Sequence, residues 1–418
     1  MNINEILKTK TFTQSFLTIC ATILNGILGV VFFIFLARSL GPQSLGILAF
    51  TIAFITLVAD IANLGTDSGI IRFIGKYSSL VGEDKRILKL ALEVKLLAWV
   101  IIFIIGWISI PSLVKYLFLK PELLFPLRLS LLGIGGALLY SFIMSSIQAY
   151  QKFWYFSIIM VGTNAIRLIF VVLLIIFSVL SLENALIIYI TAPFLGFFLG
   201  LLILPSFFTV KNEWNLAKDF FHYNKWIALI IIVGAVGSRL DTFLLTKFHS
   251  IAEVGIYSVA VQLTSFIPQI FFALASVAAP KLAGFNEKKK AADYFKKLQA
   301  LTFGLSLLGL LGIPLGFIFI PVFYGSVYSS SVAPFVVLLL GQLLFLLSLP
   351  SHQMIYYYFA KPKIILLSSI LEILVIATSG LVLIPTLGIL GASISILLGG
   401  MVILFIPAIW VSYKLFYK

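Results

Sequence analysis

The chain has 418 residues, of which 61% are hydrophobic and only 11% charged, and a net charge of +14. Its mean hydropathy is +1.15. That composition excludes a water-soluble globular domain, and its recurring apolar stretches of about 20 residues mean membrane-spanning helices. The positive charge sits in short segments between apolar runs, where it sets orientation, so no nucleic-acid partner is expected.

The first apolar run, Phe12 to Leu36, exceeds the roughly 7–15 residues of a signal-peptide core, and no small-residue cleavage site follows it. It reads as a retained first span. Single Cys20 excludes an intramolecular disulfide and a cysteine-cluster metal site.

Hydropathy predicts twelve spans, at 13–37, 46–70, 91–114, 127–150, 156–180, 184–208, 226–248, 255–280, 299–323, 332–358, 363–384 and 388–412. With the N-terminus in the cytoplasm, 22 of the 29 basic residues fall in cytoplasmic segments, Lys95 counted among them, and five on the other side. This positive-inside asymmetry places both termini in the cytoplasm.

The segment from Leu36 to Gly75 returns after 209 residues, as Leu245 to Gly284. Without a gap, Arg38 falls on Lys247, Gly46 on Gly255, Arg72 on Lys281 and Gly75 on Gly284. Further on, Lys152 falls on Lys361. The shift is half the chain, so two copies of one six-span design are expected. Six is even, so both copies enter the membrane in the same direction. They would be related by a pseudo-two-fold axis along the membrane normal, and are not inverted. The expected division is an N-terminal six-helix lobe, 1–210, a cytoplasmic linker, 211–225, and a C-terminal six-helix lobe, 226–418. The linker reads as an amphipathic surface helix or as plain connection. The run Asn286 to Lys290 reads as a solvated basic loop near anionic headgroups.

No catalytic constellation appears. His222, His249 and His352 lie far apart, no GxxxxGK[ST] phosphate loop is present, and no sizeable outer loop is available for an active site. An enzyme is therefore not expected, nor is a cofactor or a bound metal. What remains is a set of polar residues inside spans, each of which needs a partner, a wet cavity or a substrate. Asn25 lies in span 1, Asp60 and Asp67 in span 2, and Gln148 closes span 4. Asn164 and Arg167 share a face of span 5, Arg239 and Asp241 lie in span 7, and Glu372 lies in span 11.

Two readings of these charges stand side by side. In one, they form structural ion pairs between helices, the reading that Asp67 and Arg72, near a span end, favour most. On a continuous helix Arg239 and Asp241 point about 200° apart, so each needs a partner on another span. In the other, Arg38, Arg72, Arg167 and Arg239 line a cationic cavity between the lobes. Arginine's planar fork suits phosphate, and an apolar cationic cavity suits a lipid-linked phosphate. Gly133, Gly135, Gly136, Pro193, Pro268, Pro314 and Pro350 permit close packing and bending inside spans.

The stretches LARSLGPQSLGILAF, ADIANLG and IIRFIGKY resemble the opening hairpin of Wzx-type polysaccharide repeat-unit flippases. These belong to the multidrug/oligosaccharidyl-lipid/polysaccharide exporter superfamily. SRLDTFLLTKF and VGIYSVAVQL resemble the start of that family's second lobe. The resemblance implies an all-α polytopic protein of two six-helix bundles in the V shape of multidrug (MATE) exporters. It implies export of an undecaprenyl-diphosphate-linked oligosaccharide from the cytoplasmic to the periplasmic leaflet of the bacterial inner membrane, by alternating access, as in O-antigen synthesis. On the matching positions, Arg38, Asp60 and Arg72 carry the first-lobe motif and Asp241 the second-lobe aspartate. Substrate contacts are then expected from Arg38, Arg72, Arg167, Arg239, Asn25 and Asn164, and coupling to H+ or Na+ at Asp60 or Asp241. Membrane lipid and polysaccharide polymerases are the expected partners. The competing functions are a drug/cation antiporter of the same superfamily, a membrane-embedded polymerase or ligase, and a lipid II flippase, a family that usually has two further spans.

Overall fold

The computed structural model describes residues 10–76, 82–211 and 214–417. Lys8, Tyr77, Lys418 and positions 212–213 of the expected linker lie outside the described residues. Helix is the only regular structure among those residues. Eleven continuous helical segments are long and apolar enough to cross a membrane, and the first of them, Leu17–Asn63, spans 47 residues. It is two helices merged across a kink at Gly41, where φ is 72° and ψ 173°. Only glycine takes that backbone conformation without strain, and Pro42 then restarts the helix with its preset φ. Twelve spans result, as the hydropathy predicts. Large apolar side chains that face outward, such as Ile108, Phe177 and Leu202, are what a lipid-facing surface requires. The chain is a multi-pass membrane protein.

The chain divides into two compact units. The first holds Met1–Gly41 and Thr51–Ala235, the second Pro42–Phe50 and Val236–Lys418.

The first unit is built from the arms of α1 (Lys10–Asn63), α2 (Thr66–Lys76), α3 (Glu83–Ser112), α4 (Leu124–Ala149), α5 (Phe153–Ile176), α6 (Leu182–Leu201) and most of α7 (Trp214–Gly237). Helix α4 is central and packs on α2, α3 and α6. Gly135 on α4 leaves room for the indole of Trp99. Ile70, Phe73, Ile87, Phe142, Phe197 and Phe220 form the core at one end. Phe220 belongs to the stretch expected as a linker. From Trp214 onward that stretch is the start of α7, continuous with the seventh span, and it buries Leu216, Ala217, Phe220 and Asn224.

The second unit continues with α8 (Leu240–Phe248), α9 (Ile251–Thr264), α10 (Phe266–Ala283), α11 (Lys288–Gly309), α12 (Gly312–Phe319), α13 (Val332–Gln353), α14 (Pro362–Leu387) and α15 (Ile389–Ser412). Helix α15 packs along both α13 and α14. The lysines expected in a loop at 288–290 form the exposed first turn of α11.

Pro42–Phe50, inside the second unit, meets α9 at very short range. A methyl group on Gly46 would strike the Ile251 carbonyl, and one on Gly255 would strike the Pro42 carbonyl. These partners are equivalent under the 209-residue repeat. The backbone repeats the design elsewhere too. Non-glycine Gln151 and Ala360 both take positive φ, 56° and 51°, just before Lys152 and Lys361. A π-helical turn closes the third span of each copy, at Leu113–Phe118 and Ile320–Tyr324.

Four spans are interrupted where the sequence suggested continuous helices. The second breaks at Leu64 and Gly65, with φ of 49° and 73°. The seventh breaks between Gly237 and Leu240, the eighth at Ser265 and the ninth between Gly309 and Gly312. Pro268 and Pro314 fall in the first turns of the restarted helices α10 and α12, where a missing N–H costs nothing.

Candidate functional site

The break in the second span organises a buried polar cluster in the first unit. Asn63 ends α1, while Thr66 and Asp67 begin α2. An interrupted helix exposes N–H groups at the new N-terminus, which favour a carboxylate there. Lys95 reaches this point from α3, about 18 Å along the helix from Glu83 at 1.5 Å per residue. Its Nζ donates to Asp67 Oδ1 and Asn63 Oδ1, each at 2.9 Å, and to Ser141 Oγ at 2.8 Å. Asn63 Nδ2 donates to Asp67 Oδ2 at 2.6 Å, and Ser145 Oγ to Asp67 Oδ1 at 3.2 Å. The Lys95 side chain is 0% exposed and that of Asp67 27%. Lys95 is therefore not part of the cytoplasmic positive charge counted from the sequence. Asp67 is in an ion pair between helices, with Lys95 as its partner. Arg72 is exposed and stacks on Tyr223, with Cζ 4.1 Å from the ring centroid.

A second polar group of the first unit joins α1, α5 and α6. Asn164 Nδ2 donates to Asn25 Oδ1 at 2.5 Å, and Arg167 Nη1 donates to Asn164 Oδ1 at 3.0 Å. Arg167 Nη2 donates to the Tyr189 carbonyl at 3.1 Å, and the guanidinium lies 4.1 Å from the Tyr189 ring centroid. Pro193 explains that carbonyl's availability. It stands four residues after Tyr189 and lacks the N–H that would have bonded it. Arg167 Nε is buried and has no hydrogen-bond partner. The structure thus brings Asn25, Asn164 and Arg167 together, as the sequence grouped the latter two. Arg38 and Asp60 are exposed on α1.

In the second unit the break in the seventh span holds Arg239 and Asp241. Arg239 caps α8 with non-helical φ and ψ of −131° and −7°, and Asp241 lies in its first turn. The 200° separation assumed a continuous helix. With the helix broken at Arg239, that angle does not apply. Asp241 is 5% exposed. Its Oδ1 accepts the Thr242 N–H at 2.7 Å and its Oδ2 the Tyr257 hydroxyl at 2.6 Å.

Two further features escaped sequence reasoning. His249 Nδ1 lies 3.0 Å from Glu253 Oε2, and its Nε2 lies 2.7 Å from the Ile384 carbonyl, which ties the end of α8 to α9 and α14. His352 is buried against the Phe271 ring, with centroids 5.9 Å apart, and its Nε2 has no hydrogen-bond partner. Spacing from a proline was the available signal for the Arg167 partner. Outside the spans, the Tyr150 hydroxyl donates to Asp84 at 2.6 Å. Burial, then that carboxylate, push its pKa up. Among the described residues no cluster of three His, Cys, Asp or Glu side chains could hold a metal ion.

Comparison with known proteins gives a consistent setting. The profile of a family described as "Polysaccharide biosynthesis protein" matches residues 12–286. No curated protein sequence matches the chain. Among solved structures, the chain is similar to a multidrug resistance MATE family transporter of the MOP superfamily in an inward-facing conformation. The TM-score is 0.77 at 14% identity, over 96% of this chain and 98% of that one. It is also similar to the lipid II flippase MurJ in an inward closed conformation, with a TM-score of 0.75 at 16% identity over 95% of this chain and 87% of that one. An outward-facing MATE transporter gives 0.65 at 15% identity over 96% and 94%.

Proposed function

Because the chain belongs to the polysaccharide biosynthesis protein family, we propose that it is a flippase for a lipid-linked saccharide. Its cargo is an undecaprenyl-diphosphate-linked oligosaccharide repeat unit, moved from the cytoplasmic to the periplasmic leaflet of a bacterial inner membrane. The family match carries this reading, since it extends over 12–286 and so covers the first repeat and the opening of the second. The fold supports transport over catalysis, being shared with MATE exporters and with a flippase.

The arginines supply the chemistry such a cargo needs. A diphosphate is bound best by planar guanidinium groups, which give two donors to two oxygens at once. Arg38 and Arg72 are exposed. Arg167 and Arg239 are partly buried, and Arg167 already donates to Asn164 and Tyr189. In this reading Arg38 and Arg72 make first contact, and Arg167 in the first unit and Arg239 in the second each add a positive charge for an anion. Asn25 and Asn164 supply neutral donors for sugar hydroxyls. Coupling to H+ or Na+ is assigned to Asp60 or Asp241, since each elementary charge crossing the membrane yields about 2.3 kcal/mol per 100 mV. Both termini face the cytoplasm.

A strain lacking the protein should accumulate lipid-linked repeat units on the cytoplasmic leaflet and lose the corresponding surface polysaccharide. Normal polysaccharide together with raised sensitivity to cationic drugs would instead favour the antiporter reading, which the MATE-like fold also accommodates.

A further inference from the structure

The oxygens around Lys95 form a small, closed shell. Asn63 Oδ1, Asp67 Oδ1 and Ser141 Oγ stand 2.8–2.9 Å from Nζ, one for each ammonium proton. They come from three elements, the end of α1, the start of α2 and the middle of α4, and meet where the second span is broken. Thr66 Oγ donates to Asn63 Oδ1 at 2.6 Å and turns that oxygen toward the shell. A carboxylate, an amide carbonyl and a hydroxyl are the ligand types that proteins use for hard cations. The shell is wider than the roughly 2.3–2.6 Å of calcium or 2.0–2.1 Å of magnesium. With one negative charge and that radius it fits a monovalent ion of potassium size. Lys95 is sealed on its stem side at 0% exposure, while Asp67 remains 27% exposed.

We infer that the first unit contains a monovalent-cation site occupied permanently by the protein's own lysine. The tethered ammonium neutralises Asp67, holds the two halves of the broken helix in register through Asn63 and Asp67, and keeps diffusible ions out. Ion coupling in this protein therefore does not pass through Asp67, and the break keeps its geometry at any ambient sodium or potassium level. The inference concerns the cluster alone and stands whatever cargo the protein carries.

Purified full-length protein would be unfolded thermally in potassium chloride and in choline chloride at equal ionic strength. The wild type should show the same midpoint in both salts. Lys95→Ala should unfold lower in choline and gain about 1 °C between 1 and 100 mM potassium, the scale of about 1 kcal/mol from a weakly bound ion in a chain of this length. Adding Asp67→Asn to Lys95→Ala should abolish the gain. Equal midpoints for Lys95→Ala in both salts would overturn the proposal. So would a potassium gain that survives Asp67→Asn, or a wild-type gain that Asp67→Asn removes. Lys95→Ser, which adds a hydroxyl oxygen, is the second variant should Lys95→Ala fail to accumulate. Failure of both in potassium-rich cells also overturns it, because a potassium-sized pocket would be refilled during synthesis.

Discussion

The second and seventh spans are both interrupted, and in each the restarted half-helix carries an aspartate in its first turn, Asp67 on α2 and Asp241 on α8. Both carboxylates profit from the partial positive charge of a helix N-terminus. They differ in how the remaining charge is met. Asp67 has a full counter-charge 2.9 Å away and keeps some access to solvent. Asp241 is 5% exposed and is held by neutral donors, a backbone N–H and a phenol. An ammonium cannot be removed without leaving a charge unpaired, whereas one neutral donor can be lost while the other still serves. The same half-helix device thus yields one clamp centred on an ion pair, with Asn63 and Ser145 as further donors, and one built from neutral donors alone.

That contrast can be broken at several points. The largest effect is expected from Lys95→Met, which keeps the apolar stem and strands the carboxylate. It should destabilise the protein by about 3 kcal/mol, at the low end for a broken buried pair because Asp67 is partly exposed. Lys95→Met with Asp67→Asn should recover at least half of that loss in thermal or denaturant unfolding. A double variant no more stable than the single one would show that charge is not what Lys95 contributes. Tyr257→Phe comes next, at about 1–2 kcal/mol for one lost donor to a buried carboxylate. If it matched Lys95→Met, the distinction between the two clamps would disappear. The smallest effect tests whether Arg167 is held by the proline-freed carbonyl. Arg167→Met should cost about 1 kcal/mol, and less when Pro193 is already alanine, because the new N–H can bond the Tyr189 carbonyl. A double-mutant cycle with no coupling would sink that account.

Much of the architecture was legible in the sequence because burial in lipid demands long apolar runs, and those runs are counted easily. The 209-residue register was legible for a similar reason, since Gly46 and Gly255 stand at equivalent places. Their mutual contact was not, because sequence alone does not say which helix faces which. The breaks were hidden. Leu64 and Ser238 lie in the short polar stretches Asn63–Asp67 and Gly237–Asp241, which a span-length hydropathy average merges into the apolar runs on either side. Lys95 was misread for the opposite reason. Charge near a span end normally belongs to water, and only the Asn63, Asp67 and Ser141 oxygens on three separate elements make its burial tolerable. Arg167 stood out in the sequence as a charge inside a span, and the structure leaves it partly buried. Its partner, the Tyr189 carbonyl, could have been found by counting four residues back from Pro193.

The reciprocal glycine contact has a symmetry of its own. Residues 42–46 touch 251–255, and each stretch offers its glycine to the other's first carbonyl. A patch that meets its own copy in this manner is isologous, the geometry of a symmetric homodimer. A half-length chain carrying this patch would offer a second copy of itself the same reciprocal fit. A side chain on either glycine would collide with the backbone of the other stretch, so the two positions are sterically tied to one another.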